Sequence, residues 1–154
     1  MIVLANDGIS PSGAEKLKEF GYEVILDTIP QDELVQYIND NSISALLVRS
    51  ATKVRTDIID NCPSLKFIGR GGVGMDNIDV DYARSKGITV NNIPAASSQS
   101  VAELVIAQMF SLSRFTHLSN REMPENGSEE FKSLKKKYGK GVELRGKTLG
   151  IVGF

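Results

Sequence analysis

Two arginines and a glycine cluster are the residues of this sequence best suited to chemistry. Arg49 begins the polar stretch 49–53, and Arg70 lies in the glycine-rich stretch GRGGVGMDNID, residues 69–79. A guanidinium group binds a carboxylate or a phosphate through two parallel hydrogen bonds. Successive backbone N–H groups of a glycine-rich turn can surround an anion. The combination indicates a site for a small molecule that carries more than one anionic group.

Less specific interpretations of these residues stay open. The glycine cluster could be a turn without a ligand, and the two arginines could be solvated or paired with Asp7 and Asp76. The cluster is not a standard dinucleotide fingerprint, because Asn77 occupies its third glycine position and the next strand does not end in an acidic residue.

A second glycine motif has the letters of a phosphate loop in the wrong context. The stretch GVELRGKT, residues 141–148, matches the pattern GxxxxGKT. That loop functions between a strand and a helix, whereas here a charged helical stretch precedes the motif and an apolar stretch follows it. We therefore predict that residues 148–152 form a strand that leads to Gly153, the first glycine of a dinucleotide fingerprint.

The remaining reactive side chains do not form a recognisable site. His117 is the only histidine, and no carboxylate lies close to it in sequence, so we predict a helix-surface or interface position. Cys62 is the only cysteine and precedes Pro63 at the end of a helical stretch, which indicates a buried structural thiol. No Cys and His cluster has the spacing of metal ligands, so we predict no metal.

Alternating strands and helices must position the arginines and glycines. Short apolar runs separated by amphipathic stretches are typical of a parallel sheet covered on both faces, which binds ligands at the carboxyl ends of its strands. We predict an α/β fold, a flavodoxin-like doubly wound sheet in the order 2-1-3-4-5. The predicted strands are 2–5, 23–26, 45–48, 66–69 and 88–90, and the predicted helices are 11–20, 31–40, 56–61 and 80–86. Polar residues at the strand ends are Asn6, Asp7, Arg49, Arg70, Asn91 and Asn92.

The pattern changes after Pro94. Residues 97–121 predict one long helix that is apolar over most of its circumference, as in an element packed between two domains or two subunits. The stretch 123–141 is polar and lysine-rich, with a turn predicted at residues 126–127. We predict two domains: residues 1–96 form the flavodoxin-like domain, and residues 97–154 begin a Rossmann domain.

Composition limits the classes of partner. The 154 residues carry a formal net charge of -1, which gives no electrostatic reason to expect nucleic acid or a membrane surface as the partner. The N-terminal sequence MIVLAND has neither a basic leader nor an apolar stretch long enough for a signal peptide or a spanning helix. A single cysteine fits a reducing cytoplasm.

Five linked motifs resemble those of the D-2-hydroxyacid dehydrogenases. The motifs are VRSATKV (48–54), GRGGVGMDNID (69–79), KGITVNNIP (86–94), SVAELVIAQM (100–109) and ELRGKTLGIVGF (143–154). Arg49 and Arg70 make the chain most similar to the branch that oxidises 3-phosphoglycerate to 3-phosphohydroxypyruvate in serine biosynthesis. The resemblance implies a cytoplasmic, dimeric, NAD-dependent oxidoreductase that acts on a small anionic 2-hydroxy or 2-oxo acid, a flavodoxin-like substrate domain and a Rossmann NAD-binding domain.

The same resemblance assigns roles to individual residues. Arg49 and Arg70 would face the substrate phosphate, and backbone amides around Val73 would hold its carboxylate. The helix 97–121 would pack at the dimer interface, and Lys135 would reach the neighbouring subunit's site. The implied substrate-binding residues are Arg49, Ser50, Arg70, Gly72, Val73, Gly74, Ser97 and Lys135, and the implied cofactor contacts are Val73 and Gly153.

Other functions remain open at this point. One is a dehydrogenase of another 2-hydroxy acid, such as glycerate, hydroxypyruvate or lactate. Another is a non-catalytic regulator that binds a metabolite on the same fold. The sequence does not decide between NAD and NADP. A receiver-type signalling domain fits poorly, because Arg49 stands where such a domain requires an aspartate.

The resemblance also predicts that this chain alone is inactive. The family's catalytic arginine, glutamate and histidine would all lie beyond Phe154, so we expect a shortened form of an active enzyme. Consumption of NADH with phosphohydroxypyruvate measures this directly, and a full-length family member serves as the positive control. Sustained turnover by the 154-residue chain would contradict the prediction.

Overall fold

Five parallel strands form one sheet in the computed structural model, which describes residues 1–152. The strands are β1 (Ile2–Ala5), β2 (Glu23–Ile25), β3 (Ala45–Val48), β4 (Phe67–Arg70) and β5 (Thr89–Asn92). Their order is β2-β1-β3-β4-β5, with every neighbouring pair parallel. The predicted flavodoxin-like strand order is confirmed.

One row of apolar side chains crosses the sheet and forms the centre of the core. Leu4 pairs with Leu46, Leu46 with Ile68, and Ile68 with Val90. Residues in register on adjacent strands face the same side of a sheet, so the four side chains form one layer. All four are buried, and burial of each large side chain contributes about 1.5 to 3 kcal/mol.

Four helices connect the strands. They are α1 (Pro11–Glu19), α2 (Leu34–Asp40), α3 (Thr56–Asn61) and α4 (Val80–Ser85). The Ser10 hydroxyl accepts a hydrogen bond from the Gly13 N–H at the start of α1, as an N-cap does. Helix α2 begins three residues later than predicted, because the Glu33 N–H donates to the Pro30 carbonyl in a turn and the Gln31 side chain bonds the Lys53 backbone.

The second structural unit begins at Ser98 and consists mainly of helices α5 (Ser98–Arg114) and α6 (Thr116–Tyr138). The single helix predicted for residues 97–121 is wrong, because Phe115 adopts a left-handed backbone conformation with φ 55° and separates the two helices. The boundary between the units lies after Ser97. That the second unit starts a Rossmann domain stays a prediction.

Helix α6 folds back on itself. Glu130 has non-helical backbone angles, and the Lys137 ammonium contacts the Glu122 carboxylate at 2.7 Å. Fifteen residues of straight helix would separate these two by about 22 Å. The reversal therefore occurs near Glu130, and the turn predicted at residues 126–127 is wrong in position.

The strand predicted at residues 148–152 is not formed. These residues have no strand pairing in the part of the chain that the structure describes. A strand needs the backbone of a neighbouring strand, and apolar sequence alone does not supply it. Gly153 lies outside the described residues. Over residues 1–152, no helix combines the length and apolar character that crossing a bilayer requires.

The buried thiol of Cys62 generates a prediction about reactivity. Its side chain is 1% exposed, and burial, together with the negative charge of Asp57, raises its pKa to about 11. Because the thiolate is the reactive form, we expect a disulfide reagent at pH 8 to label the folded chain at least about 100-fold more slowly than the unfolded chain. The same chain in denaturing urea is the control. Rapid labelling of the folded chain would contradict the burial.

Candidate anion-binding site

The candidate site lies at the carboxyl ends of β3 and β4. Val48 and Arg70 are in register at the last position of these two strands. The chain continues from β3 into loop 49–53, which is exposed except for Thr52, and from β4 into the glycine loop 71–79. Both loops therefore leave the sheet side by side. Open parallel sheets bind ligands at this edge.

Asp7 holds the start and the end of loop 49–53 from the side of β1. Its carboxylate accepts hydrogen bonds from the Arg49 N–H at 2.6 Å and from the Thr52 N–H at 3.1 Å. The Thr52 hydroxyl donates to the second carboxylate oxygen at 2.5 Å. Asp7 therefore bonds the backbone of Arg49, whereas the sequence left open an ion pair with the Arg49 guanidinium.

These hydrogen bonds change the acidity of Asp7. Partial burial acts to raise the pKa of the carboxyl group, but hydrogen bonds from the Thr52 hydroxyl and from backbone N–H groups of Arg49, Thr52 and Ala51 favour the charged form. The net result is a pKa below the ordinary value of 3.8. Asp7 is thus a carboxylate over the whole neutral range.

Asn77 holds the same loop from the side of β4. Its side-chain amide donates to the Arg49 carbonyl at 2.9 Å and to the Thr52 carbonyl at 2.7 Å. The loop then pairs with the glycine loop, because Val54 forms a parallel bridge with Ile78. Loop 49–53 is therefore bonded to both neighbouring loops.

Both arginine side chains lie against glycines. A methyl group built on Gly72 would lie 2.0 Å from an Arg70 guanidinium nitrogen, and one on Gly71 would lie 3.4 Å from the Arg49 Cγ. The absence of a side chain at Gly72 thus lets the Arg70 guanidinium lie directly over the loop. Among the described residues, neither guanidinium forms a hydrogen bond or an ion pair, and the Arg70 Nε is buried without a partner.

The glycine loop leaves two adjacent backbone donors available. The N–H groups of Gly71 and Gly72 are bonded to carbonyls of Val48 and Arg70. No acceptor among residues 1–152 receives the N–H of Val73 or Gly74. Successive N–H groups of this kind bind anionic oxygens, and here they adjoin two guanidinium groups with no anionic partner.

The Val73 side chain, a predicted substrate and cofactor contact, is 51% exposed beside these donors. Its carbonyl accepts a hydrogen bond from the Asn92 side chain, and the Gly72 carbonyl accepts one from the Ile93 N–H. The end of β5 therefore supports the loop by bonding its carbonyl groups.

The structure brings together only some of the residues proposed from sequence. Arg49 and Ser50 lie in loop 49–53, Arg70 ends β4, and Gly72, Val73 and Gly74 lie in the adjacent glycine loop. Ser97 is the last residue of the first unit, and Lys135 lies on α6 in the second. The proposed contacts of Ser97, Lys135 and Gly153 stay predictions.

Sequence reasoning missed the contribution of Asn77 and Thr52. It treated Asn77 only as a residue that breaks the dinucleotide fingerprint. A signal was present, because a polar residue directly after a glycine cluster at the end of a buried strand is well placed to bond a neighbouring loop.

Comparison with known proteins identifies the family. The family model for the catalytic domain of D-isomer-specific 2-hydroxyacid dehydrogenases matches residues 2–142. The chain therefore belongs to the D-isomer-specific 2-hydroxyacid dehydrogenase family. Members of this family are oxidoreductases that act on the CH–OH group of 2-hydroxy acids.

Individual relatives include enzymes with two kinds of name. The chain is 46% identical over 132 residues to a hydroxypyruvate reductase of Thermotoga maritima, covering 86% of this chain and 40% of that protein. It is 40% identical over 151 residues to a D-3-phosphoglycerate dehydrogenase of Methanocaldococcus jannaschii, covering 98% of this chain and 27% of that protein. The chain thus spans well under half the length of these relatives.

A solved structure shows the same fold. The NAD⁺-bound 3-phosphoglycerate dehydrogenase of Entamoeba histolytica matches with a TM-score of 0.59 and 29% identity, over 73% of this chain and 39% of that one. This similarity agrees with the five-stranded parallel sheet described above.

The Asp7 hydrogen bonds generate a prediction about pH. Because the pKa of Asp7 is lowered in the folded state, its contribution to stability is present above the unfolded pKa and is lost as the pH falls through the folded pKa. We expect Asp7→Asn to lower the free energy of unfolding at pH 7 by about 1 to 3 kcal/mol. The difference from the unaltered chain should shrink progressively below about pH 4.

Urea denaturation at a series of pH values from 7 to 2.5 measures this difference. Asp32→Asn is the control, since Asp32 is exposed and bonds no described residue. A difference between Asp7→Asn and the unaltered chain that stays constant down to pH 2.5 would show that the charge of Asp7 has no part in holding the loop.

Proposed function

We propose that this chain forms the substrate-binding part, and the beginning of the cofactor-binding part, of a D-3-phosphoglycerate dehydrogenase. That enzyme oxidises 3-phosphoglycerate to 3-phosphohydroxypyruvate in serine biosynthesis. The observation that carries the proposal is the pair of guanidinium groups, Arg49 and Arg70, which have no anionic partner and adjoin the unbonded N–H groups of Val73 and Gly74.

The substrate would use the two kinds of donor at its two ends. Backbone N–H groups of Val73 and Gly74 suit the carboxylate, because they bind one anionic group at short range without a side chain. Arg49 and Arg70 suit the phosphate, because a guanidinium fork matches its oxygens. The exposed Ser50 hydroxyl lies next to Arg49 and supplies a further donor. A side chain at Gly72 would displace the Arg70 guanidinium from its present position.

Reduction of hydroxypyruvate is the second candidate. Its support is the relative of that name at 46% identity. Hydroxypyruvate and glycerate each carry a single carboxylate and no phosphate, so they would leave at least one of the two guanidinium groups without an anionic partner. Arg49 is exposed, whereas Arg70 is half-buried and its Nε is buried without a partner in residues 1–152. Only an Arg70 guanidinium left without an anion would therefore be unfavourable, and this consideration supports the phosphorylated substrate.

We propose NAD as the cofactor of the complete enzyme, where the nicotinamide would accept the hydride from C2 of the substrate. The described residues do not form a dinucleotide site by themselves, because residues 148–152 are not a strand and Val73 is the only described residue among the proposed cofactor contacts. The function derived from this chain is therefore binding and orientation of the substrate anion.

The assembly we propose is a cytoplasmic homodimer formed through residues 97–121. Helix α5 has no buried residue, and it carries a series of large apolar side chains that are about half exposed or more. An apolar surface of this kind is normally covered by a partner. These side chains are Val101, Leu104, Val105, Ile106, Phe110 and Leu112. Ser97 and Lys135 are proposed to contact substrate in the assembled enzyme.

The phosphate assignment predicts a selective loss of affinity. We expect Arg49→Ala to weaken binding of 3-phosphoglycerate by about 10- to 100-fold, since it removes a bidentate ionic contact. Binding of D-glycerate should weaken by less than about 3-fold. The affinity of Arg49→Lys for 3-phosphoglycerate should lie between those of the unaltered chain and Arg49→Ala, because lysine keeps the positive charge and loses the two parallel hydrogen bonds. Isothermal titration of each acid into the 154-residue chain provides the measurement.

Lys18→Ala is the control for this experiment. It removes one positive charge from the last turn of helix α1, which leads to the amino end of β2 and not to the carboxyl ends of the strands. Equal losses for both acids would favour the hydroxypyruvate assignment. Binding of 3-phosphoglycerate by the complete protein without turnover would favour a regulator that shares the fold.

A further inference from the structure

All the buried polar side chains of residues 1–152 contribute to one network. They are Asn6, Thr52 and Asn77, exposed by 3%, 4% and 7%. The Asn6 amide donates to the Thr52 hydroxyl at 2.8 Å, and its two ends also bond the backbone of Ile29. Asn77 bonds the loop that contains Thr52. These three side chains therefore attach loop 49–53, and Asn6 also holds the backbone at Ile29.

Asp7 and Asn77 bind this loop in complementary ways. Asp7 accepts the N–H groups of Arg49 and Thr52, and Asn77 donates to the carbonyl groups of the same two residues. Each of these residues therefore has its N–H and its carbonyl held by side chains from the loops after β1 and β4. We call Asp7 and Asn77, with these four hydrogen bonds, the loop clamp.

The clamp fixes Arg49, one of the two arginines whose side chains are proposed to bind the phosphate. Holding the peptide groups on both sides of Arg49 sets its backbone angles, and these determine where its side chain begins. From there the side chain passes beside Gly71. The rest of the loop is largely exposed, with Ser50, Ala51 and Lys53 facing solvent. An exposed loop of this kind would otherwise be mobile.

The clamp also leaves one buried polar atom without a hydrogen bond within residues 1–152, which lowers the stability of the fold. The Asn77 side-chain oxygen is buried and has no hydrogen-bond partner among the described residues. Such a group is unfavourable, and an apolar residue at this position would avoid it. The amide nevertheless suits this position, because its NH₂ group donates to two carbonyls at once from a short, uncharged side chain.

We propose that Asp7 and Asn77 are positioning residues, which set the affinity for the phosphate end of the ligand by fixing the backbone of Arg49. This inference rests on the proposed function, because it takes the ligand to be 3-phosphoglycerate. Neither residue touches the ligand; each acts through Arg49.

A double-mutant cycle tests the inference. We expect Asn77→Ala to weaken binding of 3-phosphoglycerate to the 154-residue chain by about 10-fold and binding of D-glycerate by less than about 2-fold. In an Arg49→Ala background, Asn77→Ala should change 3-phosphoglycerate affinity by less than about 2-fold. If Asn77→Ala weakens binding of 3-phosphoglycerate equally in the unaltered chain and in the Arg49→Ala chain, the proposal is overturned.

Amide hydrogen exchange provides a readout that needs no ligand. In Asn77→Ala and in Asp7→Ala, the N–H groups of Arg49 and Thr52 should exchange at least about 10-fold faster, while those of Leu46 and Ile68 in the sheet keep their protection. If the wild-type chain binds no 3-phosphoglycerate, the proposed function fails, and this exchange result still decides whether the clamp holds the loop. Unchanged loop exchange would overturn the clamp.

Two further variants serve as a substitute and as a control in this experiment. If Asn77→Ala does not fold, Asn77→Ser replaces it, because the serine hydroxyl keeps one hydrogen-bond donor. We expect this variant to lose affinity for 3-phosphoglycerate and to keep its affinity for D-glycerate. Tyr82→Phe is the matched control, since it removes the hydrogen bond from the Tyr82 hydroxyl to the Asp60 carboxylate between α3 and α4 and leaves the four hydrogen bonds of the clamp in place. A loss of 3-phosphoglycerate affinity in Tyr82→Phe like that in Asn77→Ala would overturn a specific role for the clamp.

Discussion

The parallel pairing of β3 with β4 is the constraint on which the site depends. Its register places Val48 opposite Arg70, so the chain leaves both strands at the same height. One strand then continues into the loop of Arg49 and the other into the glycine loop. A shift of one residue would turn the Arg70 side chain to the other face of the sheet. The register is in turn secured by the buried row that includes Leu46 and Ile68, so apolar packing fixes the position of charged groups.

Small residues and polar residues have different roles at the carboxyl edge of the sheet. Gly71 and Gly72 provide space, and a side chain at Gly72 would occupy the position of the Arg70 guanidinium. Asp7 and Asn77 provide attachment, because loop 49–53 has no strand partner until the bridge at Val54. Space without attachment would leave a mobile cationic loop, and ordering it would reduce the affinity for any ligand.

The strand order and the edge of the site were predictable from sequence, because apolar runs and helix caps are local signals that agree with the global fold. Ser10 and Pro11 marked the start of α1 in this way. Three features were not predictable. The contacts of Asn77 join residues 25 and 28 positions away. The break at Phe115 places a bulky residue in a left-handed conformation that its type disfavours. A strand at residues 148–152 depends on partners that apolar sequence does not reveal.

Polar groups without partners are concentrated where the ligand is proposed to bind. In the first unit, the buried side-chain atoms without a hydrogen bond are the Arg70 Nε and the Asn77 oxygen, and the N–H groups of Val73 and Gly74 also lack acceptors among the described residues. A fold optimised only for stability would pair or remove the two buried atoms, whereas the N–H groups of the exposed Val73 and Gly74 can bond water. These groups differ in kind. The N–H donors could bond an anion, whereas the Asn77 oxygen is an acceptor and could not. The proposed binding of an anion therefore accounts for the buried Arg70 donor, and the need to hold Arg49 accounts for the buried Asn77 oxygen.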